Sequence, residues 1–328
     1  QKRCYNDKRY KATVRRNPVG PLQEHVQTRQ NVRGLKGFRN LKTILGIGSP
    51  GSNIVRQLGE YKTYKPYTIC TENIKTTKYN FNLPELDGPE EYEAMDMKRL
   101  EKWLSTIEKS CTVFLCGASK SAGITLRALQ SLHKNGVKMD IVYFMPETEV
   151  LSEMKILAER STMGILQNYA RSGLFGKICL VSNVELEKIA RSTNVYEYYE
   201  QINRVFTSSY YMMDVFRNTR PVTSTFSRPK PSCRITTIGL GSLDNQEKLL
   251  FPFKQEVEVV YYFGINEEKL RTEENLFRTI TNKVKSRITE ETKVSFGIYP
   301  TQYEADYIYV EYFSPKIQQI VVDTNNKI

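Results

Sequence analysis

Gly46, Gly48 and Gly51 stand in a G-x-G-x-x-G frame, with Ser49 and Pro50 inside it and Ser52 and Asn53 directly behind. Glycines at this spacing let a chain turn tightly and bring backbone amides close to an anion with no Cβ in the way. A second run of small residues, Gly117-Ala118-Ser119-Lys120-Ser121-Ala122-Gly123, carries hydroxyls and a lysine between its end glycines. Two such loops at helix starts suit one polyphosphate, because unpaired amides and aligned peptide dipoles both favour negative charge. Lys120 lies outside a G-x-x-x-x-G-K-[ST] frame, so it reads either as a point charge on a phosphate or as a solvated lysine. Farther on, Tyr199 and Asn203 fall one helical turn apart, which puts an aromatic face and an amide edge on one side of a helix. That pair suits a purine, since the ring stacks while the amide both donates and accepts. The alternative is a core-facing Tyr199 among Tyr196, Tyr198, Tyr210 and Tyr211, with Asn203 a surface residue.

Positioning these groups takes a regular scaffold. The apolar stretch Thr43-Ile44-Leu45 enters the first glycine run, and Ile54, Val55 and Leu58 leave it on one face, an order that predicts strand, turn, helix. The order recurs: 112–116 predicts a buried strand, and 124–135 a helix that Gly136 is placed to end. Further strands are predicted at 67–70, 140–145 and 177–181, and helices over 96–109, 151–172 and 195–217. The segment 80–93, with Pro84, Gly88 and Pro89, reads as a long loop. Beyond residue 220 the pattern predicts a strand over 256–263, a helix over 273–288, and strands over 293–299 and 307–313.

The 328 residues leave room for a large core, expected as two domains sharing an interface. A hydrophobic content of 40% and a charged content of 26% are ordinary for a globular protein. No apolar run approaches the roughly 18–20 residues that span a bilayer, and no apolar segment behind the basic N-terminus suggests a signal peptide. The six cysteines include no C-x-x-C pair and several sit in apolar runs, which fits a reducing compartment. The two histidines, His25 and His133, lie far apart, which argues against a zinc site or a histidine-based triad. Chemistry would then rest on positioning, carboxylates, or a metal held by phosphates. Charge is unevenly placed: residues 1–42 hold twelve Lys/Arg against Asp7 and Glu24, ten of the chain's twelve net positive charges. Such an arm suits nucleic-acid phosphates or an acidic protein, or is a solvated leader with no specific partner.

From about residue 40 onward the order of motifs resembles the tubulin/FtsZ superfamily. Gly46-Ile47-Gly48-Ser49-Pro50-Gly51-Ser52-Asn53 is similar to its first phosphate loop, and Gly117 and Gly123 bound a stretch similar to its G-G-G-T-G-[ST]-G signature loop. Asn183, within Ser182-Asn183-Val184-Glu185-Leu186, and the pair Tyr199 and Asn203 match residues that contact guanine in the family. Glu149 stands one position from the ribose-side acid, and Val294-Ser295-Phe296-Gly297-Ile298 resembles an I-x-F-G strand of the second domain. Glu72 or Asn73 would lie near the base or metal. The resemblance implies an α/β fold, with a Rossmann-like parallel-sheet nucleotide domain over 41–194, a central helix over 195–220 and a smaller α+β domain over 221–328, preceded by the basic arm 1–40. It implies GTP or GDP, with Mg carried on the phosphates, and head-to-tail self-assembly. The departures suggest a phage- or plasmid-type member that positions DNA in a host cytoplasm. Ala118, Ser119, Lys120, Ser121 and Ala122 replace the signature loop's central glycines and threonine, which restricts φ where backbone should wrap phosphate. Where the family carries an acidic N-x-D-x-x-D-type loop, residues 219–233 contain three prolines and no carboxylate, and Arg220, Arg228, Lys230 and Arg234 bring positive charge. No catalytic residue is therefore assigned, and fast hydrolysis is not expected. Two other readings stay open: a catalytically silent tubulin-fold component of a larger assembly such as a virion, and an NAD(P)-binding oxidoreductase with Glu72, 21 residues after Gly51, as its ribose acid.

Overall fold

The computed structural model describes residues 41–72, 75–190 and 195–319. Residues 1–40, which hold most of the basic arm, and Asn73 lie outside them. Six strands alternate with helices in the first half: β1 (Lys42–Ile47), β2 (Tyr64–Cys70), β3 (Asn80–Asn82), β4 (Ser110–Cys116), β5 (Lys138–Met145) and β6 (Ile178–Ser182). They pair in the order β3-β2-β1-β4-β5-β6, all parallel. This is the doubly wound arrangement, whose strand order reverses between β1 and β4 and opens a crevice at the carboxyl ends there. The sheet continues through β8 (Ile235–Gly241), parallel to β6, and then through β12 (Tyr307–Ser314), β10 (Glu258–Asn266) and β11 (Lys293–Thr301). β12 runs antiparallel to both its neighbours, while β10 and β11 are parallel. A two-residue strand β7 (Thr223–Ser224) closes the far edge, and β9 (Lys248–Leu249) pairs with β8.

Buried strands with both faces covered read as near-continuous apolar runs, and that is what these are. Alternate residues feed two cores. Ile44, Phe114, Val142 and Val181 pack under α1 (Gly48–Leu58), α6 (Asn183–Ile189) and α7 (Tyr198–Asn218). Leu45, Ile47, Val113, Leu115 and Tyr143 pack on the opposite face, under α3 (Lys98–Leu104), α4 (Ala122–Lys134), α5 (Glu153–Arg171) and, farther along, α9 (Leu276–Lys285).

The 21-residue α7 is about 30 Å long at 1.5 Å per residue. Its C-terminal part meets the amino ends of the strands: Asp214 binds the Lys42 ammonium at the start of β1 and accepts from the Tyr64 hydroxyl of β2 at 3.0 Å. Its N-terminal turn lies beside Glu187 of α6 and Glu147 behind β5, both at the carboxyl edge. The helix therefore runs antiparallel to the strands from one edge of the sheet to the other.

Several expectations need correcting. The supposed loop 80–93 contains β3 and the start of α2 (Pro89–Ala94), because Pro89 fits the first turn of a helix and Gly88 is extended before it. The helix over 96–109 shrinks to α3. The helix over 273–288 shrinks to α9, preceded by a separate α8 (Glu267–Thr272) whose first amides are capped by Asn266 Oδ1 at 2.9 and 3.3 Å. The stretch 183–189, given no element from the sequence, is α6, and Asn183 is its first residue. Lys42, counted with the arm, is tied to the central helix. Strand β8 was not anticipated.

Candidate functional site

β1, β4, β5 and β6 deliver their next residues to one edge, since Ile47 pairs with Leu115, Cys116 with Phe144 and Met145 with Ser182. At the reversal point the N-termini of α1 and α4 face each other. Neither is capped by a side chain, and neither has an acid in its first turn. In α4 the Ala122 and Ile124 amides turn back onto Ser119 O and Ser121 O at 3.0 and 3.2 Å, so the loop's own carbonyls take part of that first turn, while the dipoles of both helices add positive potential at this edge. By contrast α6 is capped by its own Ser182, whose Oγ accepts from the Glu185 amide at 3.5 Å, and α6 carries Glu185 in its first turn.

The glycines divide by role. Gly48 has φ +75°, and a Cβ there would come within 2.9 Å of Ser121 Oγ, so the two loops are in contact through it. Gly46 and Gly51 answer to packing: a Cβ on Gly46 would meet Gly51 O at 2.5 Å, and one on Gly51 would meet Phe114 O at 2.3 Å. Ser52 is fully buried and its hydroxyl lies 3.5 Å from Gly46 O and 3.4 Å from Ile69 O, so only its backbone remains for a ligand. Ser49 is half-buried at the helix start. Asn53 is exposed and accepts from Arg56 at 3.0 Å. Arg56 also grips both oxygens of Glu72, at 3.0 and 2.7 Å. Glu72, weighed as a ribose acid, is therefore held as an ion-pair partner, and that hydrogen bond raises the Arg56 pKa.

In the second loop Gly117 sits over a buried pair. A Cβ there would meet the Tyr143 hydroxyl at 2.1 Å and Glu159 Cγ at 2.9 Å, and the hydroxyl lies 3.1 Å from Glu159 Oε1. Burial raises the Glu159 pKa against the opposing pull of Tyr143 and Arg160. Ala118 has φ +55°, a left-handed turn without the glycine that favours it. The Ser119 and Ser121 hydroxyls lie 3.4 Å apart, and Lys120 is exposed. A Cβ on Gly123 would meet Pro89 O at 1.9 Å, so the start of α2 is packed directly on the start of α4.

The other candidates lie along the same carboxyl edge of the sheet. Glu149 is exposed in a short turn, Thr148–Val150, behind β5. Asn183 is half-buried at the start of α6, and its side chain has no hydrogen-bond partner among the described residues. Tyr199 is 71% exposed, which overturns the core-facing alternative. Its neighbour Tyr198 is the one that packs, with ring centroids 5.2 Å apart and edge-to-face. Burial and the carboxylates of Glu187 and Glu147 push the Tyr198 hydroxyl up to about 12. Asn203, half-buried one turn behind Tyr199, has an amide with no partner among the described residues. The uncapped helix starts, the open amides and the bare aromatic ring thus share one edge, suited to an anion joined to a flat polar base.

The loop 219–233, which holds no carboxylate, lies at the other end of α7. It is clamped to the sheet by the Val222 amide on Ile298 O and the Thr225 amide on Phe296 O, both at 2.8 Å. Its nearest carboxylate, Glu258, is buried and accepts from the Lys230 amide at 2.9 Å.

Three solved structures set this architecture in context. The FtsZ dimer of M. jannaschii superposes with a TM-score of 0.62 at 12% identity, covering 85% of this chain and 90% of that one. A GTPγS-form protofilament of TubZ from Bacillus thuringiensis serovar israelensis gives 0.64 at 12%, covering 84% and 88%. A GTPγS-bound protofilament of CetZ2 from Haloferax volcanii gives 0.61 at 12%, covering 84% and 94%. No family model and no curated protein sequence matches the chain. Among the described residues no helix is long and apolar enough to cross a membrane.

Proposed function

We propose that this chain, which has the tubulin/FtsZ-superfamily fold, binds a guanine nucleotide at the carboxyl edge of its parallel sheet and assembles head to tail, with little or no hydrolysis. The observation that carries the reading is the contact of two uncapped helix starts at Gly48 and Ser121, at the sheet edge where the first turn of α7 leaves a tyrosine in solvent. Amides of residues 48–53 and 118–123 would take the phosphates, with Lys120 in reach of their charge. Tyr199 would stack on the base, Asn203 and Asn183 would read its edge, and Glu149 would meet the ribose. A Mg ion would enter on the phosphates and spread their charge.

Assembly is supported by the solved proteins of this fold, described as a dimer and as protofilaments. The loop 219–233 lies at the opposite end of α7 from the phosphate loops, so a head-to-tail contact would set the loop of one copy over the site of the next. That loop would bring cations and no acid. It could neutralise phosphate but has nothing to orient an attacking water, which is most of what a protein contributes to phosphoryl transfer.

The test is to denature the purified full chain, identify released nucleotide by chromatography, and measure guanine-nucleotide affinity for Asn203→Ala. Wild type is expected to release GTP or GDP. The variant should bind about 10–100-fold more weakly, the scale of one or two lost hydrogen bonds to a buried edge. Unchanged affinity removes the base-reading role. Absence of any nucleotide favours the silent structural component, for which the strained Ala118 in place of glycine is the observation in favour.

A further inference from the structure

Lys177, Arg217, Arg228, Lys230 and Arg234 converge on a single cavity of about 670 Å³. It lies between the last turn of α7, the loop 219–234 and strands β10 to β12, at the amino edge of the sheet, remote from the candidate nucleotide site. Its volume falls within the roughly 300–1,000 Å³ typical of small-molecule sites. Its walls are largely apolar and aromatic, with Phe226, Tyr262, Tyr299 and Phe313 contributing.

Buried Glu258 behind the loop accepts from the Lys230 amide at 2.9 Å, and the carboxylate that lines the cavity itself is already committed. Glu311 binds Lys177 Nζ and Arg217 Nη2, each at 2.5 Å. The Arg217 guanidinium also lies 5.9 Å from the Tyr262 ring centre. Arg234 is turned onto backbone, donating to Pro231 O at 2.8 Å and to Phe175 O at 2.9 Å. Arg228 and Lys230 differ: they stand exposed on the cavity wall, and neither side chain meets a carboxylate among the described residues.

The rim is fixed in place. β7 pairs with β11, Phe296 N donates to Thr225 Oγ1 at 3.1 Å, and Phe226 lies so close over Gly297 that a Cβ there would meet its Cζ at 2.5 Å. Phe226 and Tyr262 stand 5.6 Å apart, ring centre to ring centre. A preformed wall spares a ligand the cost of ordering it. Excess positive charge over a partly enclosed apolar chamber calls for an anion, and a guanidinium offers paired donors to a phosphate or carboxylate.

We propose that this cavity binds a small organic anion, its flat apolar body against Phe226 and Tyr262 and its phosphate or carboxylate group between Arg228 and Lys230. Such a ligand would occupy the junction of the central helix with the second half of the sheet, apart from the nucleotide.

The test uses the full chain and 8-anilinonaphthalene-1-sulfonate, a flat aromatic anion whose fluorescence rises on binding, with pyrophosphate and citrate as competitors. The double variant Arg228→Ala/Lys230→Ala changes two exposed loop side chains and is expected to keep the wild-type melting temperature while losing at least tenfold in probe affinity. Displacement by pyrophosphate assigns the anion as phosphate, and displacement by citrate alone as carboxylate. Asn203→Ala should leave probe binding unchanged, whatever it does to guanine nucleotide, so the two sites are tested separately. Wild-type probe affinity in the double variant, or probe that neither competitor displaces, overturns the proposal.

Discussion

Ala118 is the residue at which sequence and conformation disagree. Its φ of +55° belongs to the region that costs an L-residue roughly 1–2 kcal/mol. Glycine would relieve that strain but would give up roughly 0.5–1 kcal/mol of chain entropy on folding. Ala118→Gly is therefore expected to stabilise the protein by up to about 1 kcal/mol, read as a higher urea midpoint at unchanged slope. A lower midpoint would mean that the Cβ contributes packing that outweighs the strain. The sequence announced that glycines were missing from this loop and that φ would be restricted where backbone should wrap phosphate. At this position the chain makes a left-handed turn with alanine in it. Other residue roles were hidden for a physical reason. Gly46 and Gly51 serve contacts with backbone distant or folded back in the chain, and Glu72 is claimed by Arg56 one helix away, none of which spacing reveals.

Among the elements, the long alternating ones were legible because their apolar periods are unbroken, and the short or polar ones were not. β8 reads Ile-Thr-Thr-Ile-Gly-Leu-Gly, and its two adjacent threonines interrupt the apolar run. Both are fully buried, with hydroxyls donating to Ile178 O at 3.3 Å and Leu180 O at 2.8 Å, so a polar pair is satisfied by the neighbouring strand. The central helix was legible as a helix, yet its tyrosine-rich start left the orientation of Tyr199 open, because Tyr serves both core and surface. Its seat on the sheet depends on Phe206, which is fully buried and meets Phe144 at 4.8 Å and Tyr210 at 5.6 Å between ring centres. Phe206→Ala should cost about 3–5 kcal/mol in chemical denaturation, the range for a large aromatic removed from a packed core. A loss under 1 kcal/mol would show that α7 is held chiefly by its ends.

At the scale of the whole molecule, Glu311 ties three parts together. It lies on β12 and receives Lys177 from the edge of the parallel sheet and Arg217 from the end of α7. Burial alone would raise its carboxyl, but Arg217 and Lys177 overcome that and bring it from 4.5 down to about 2. A carboxyl whose pKa is lower folded than unfolded contributes stability that is fully present above its unfolded value and is lost as pH falls toward the folded one. The window here runs from about pH 4.5 to about pH 2, and the shift corresponds to roughly 3 kcal/mol at 1.36 kcal/mol per unit. Glu311→Gln strands two cations at a half-buried junction and should cost about 3–5 kcal/mol at pH 7. The gap between wild type and variant should then narrow as pH falls through that window, because the wild-type carboxylate is progressively neutralised. Denaturant titrations at pH 7, 4 and 3 measure it directly. A gap that stays constant with pH would mean that the glutamate acts through shape and hydrogen bonding, and that its charge does not hold the central helix to the second half of the sheet.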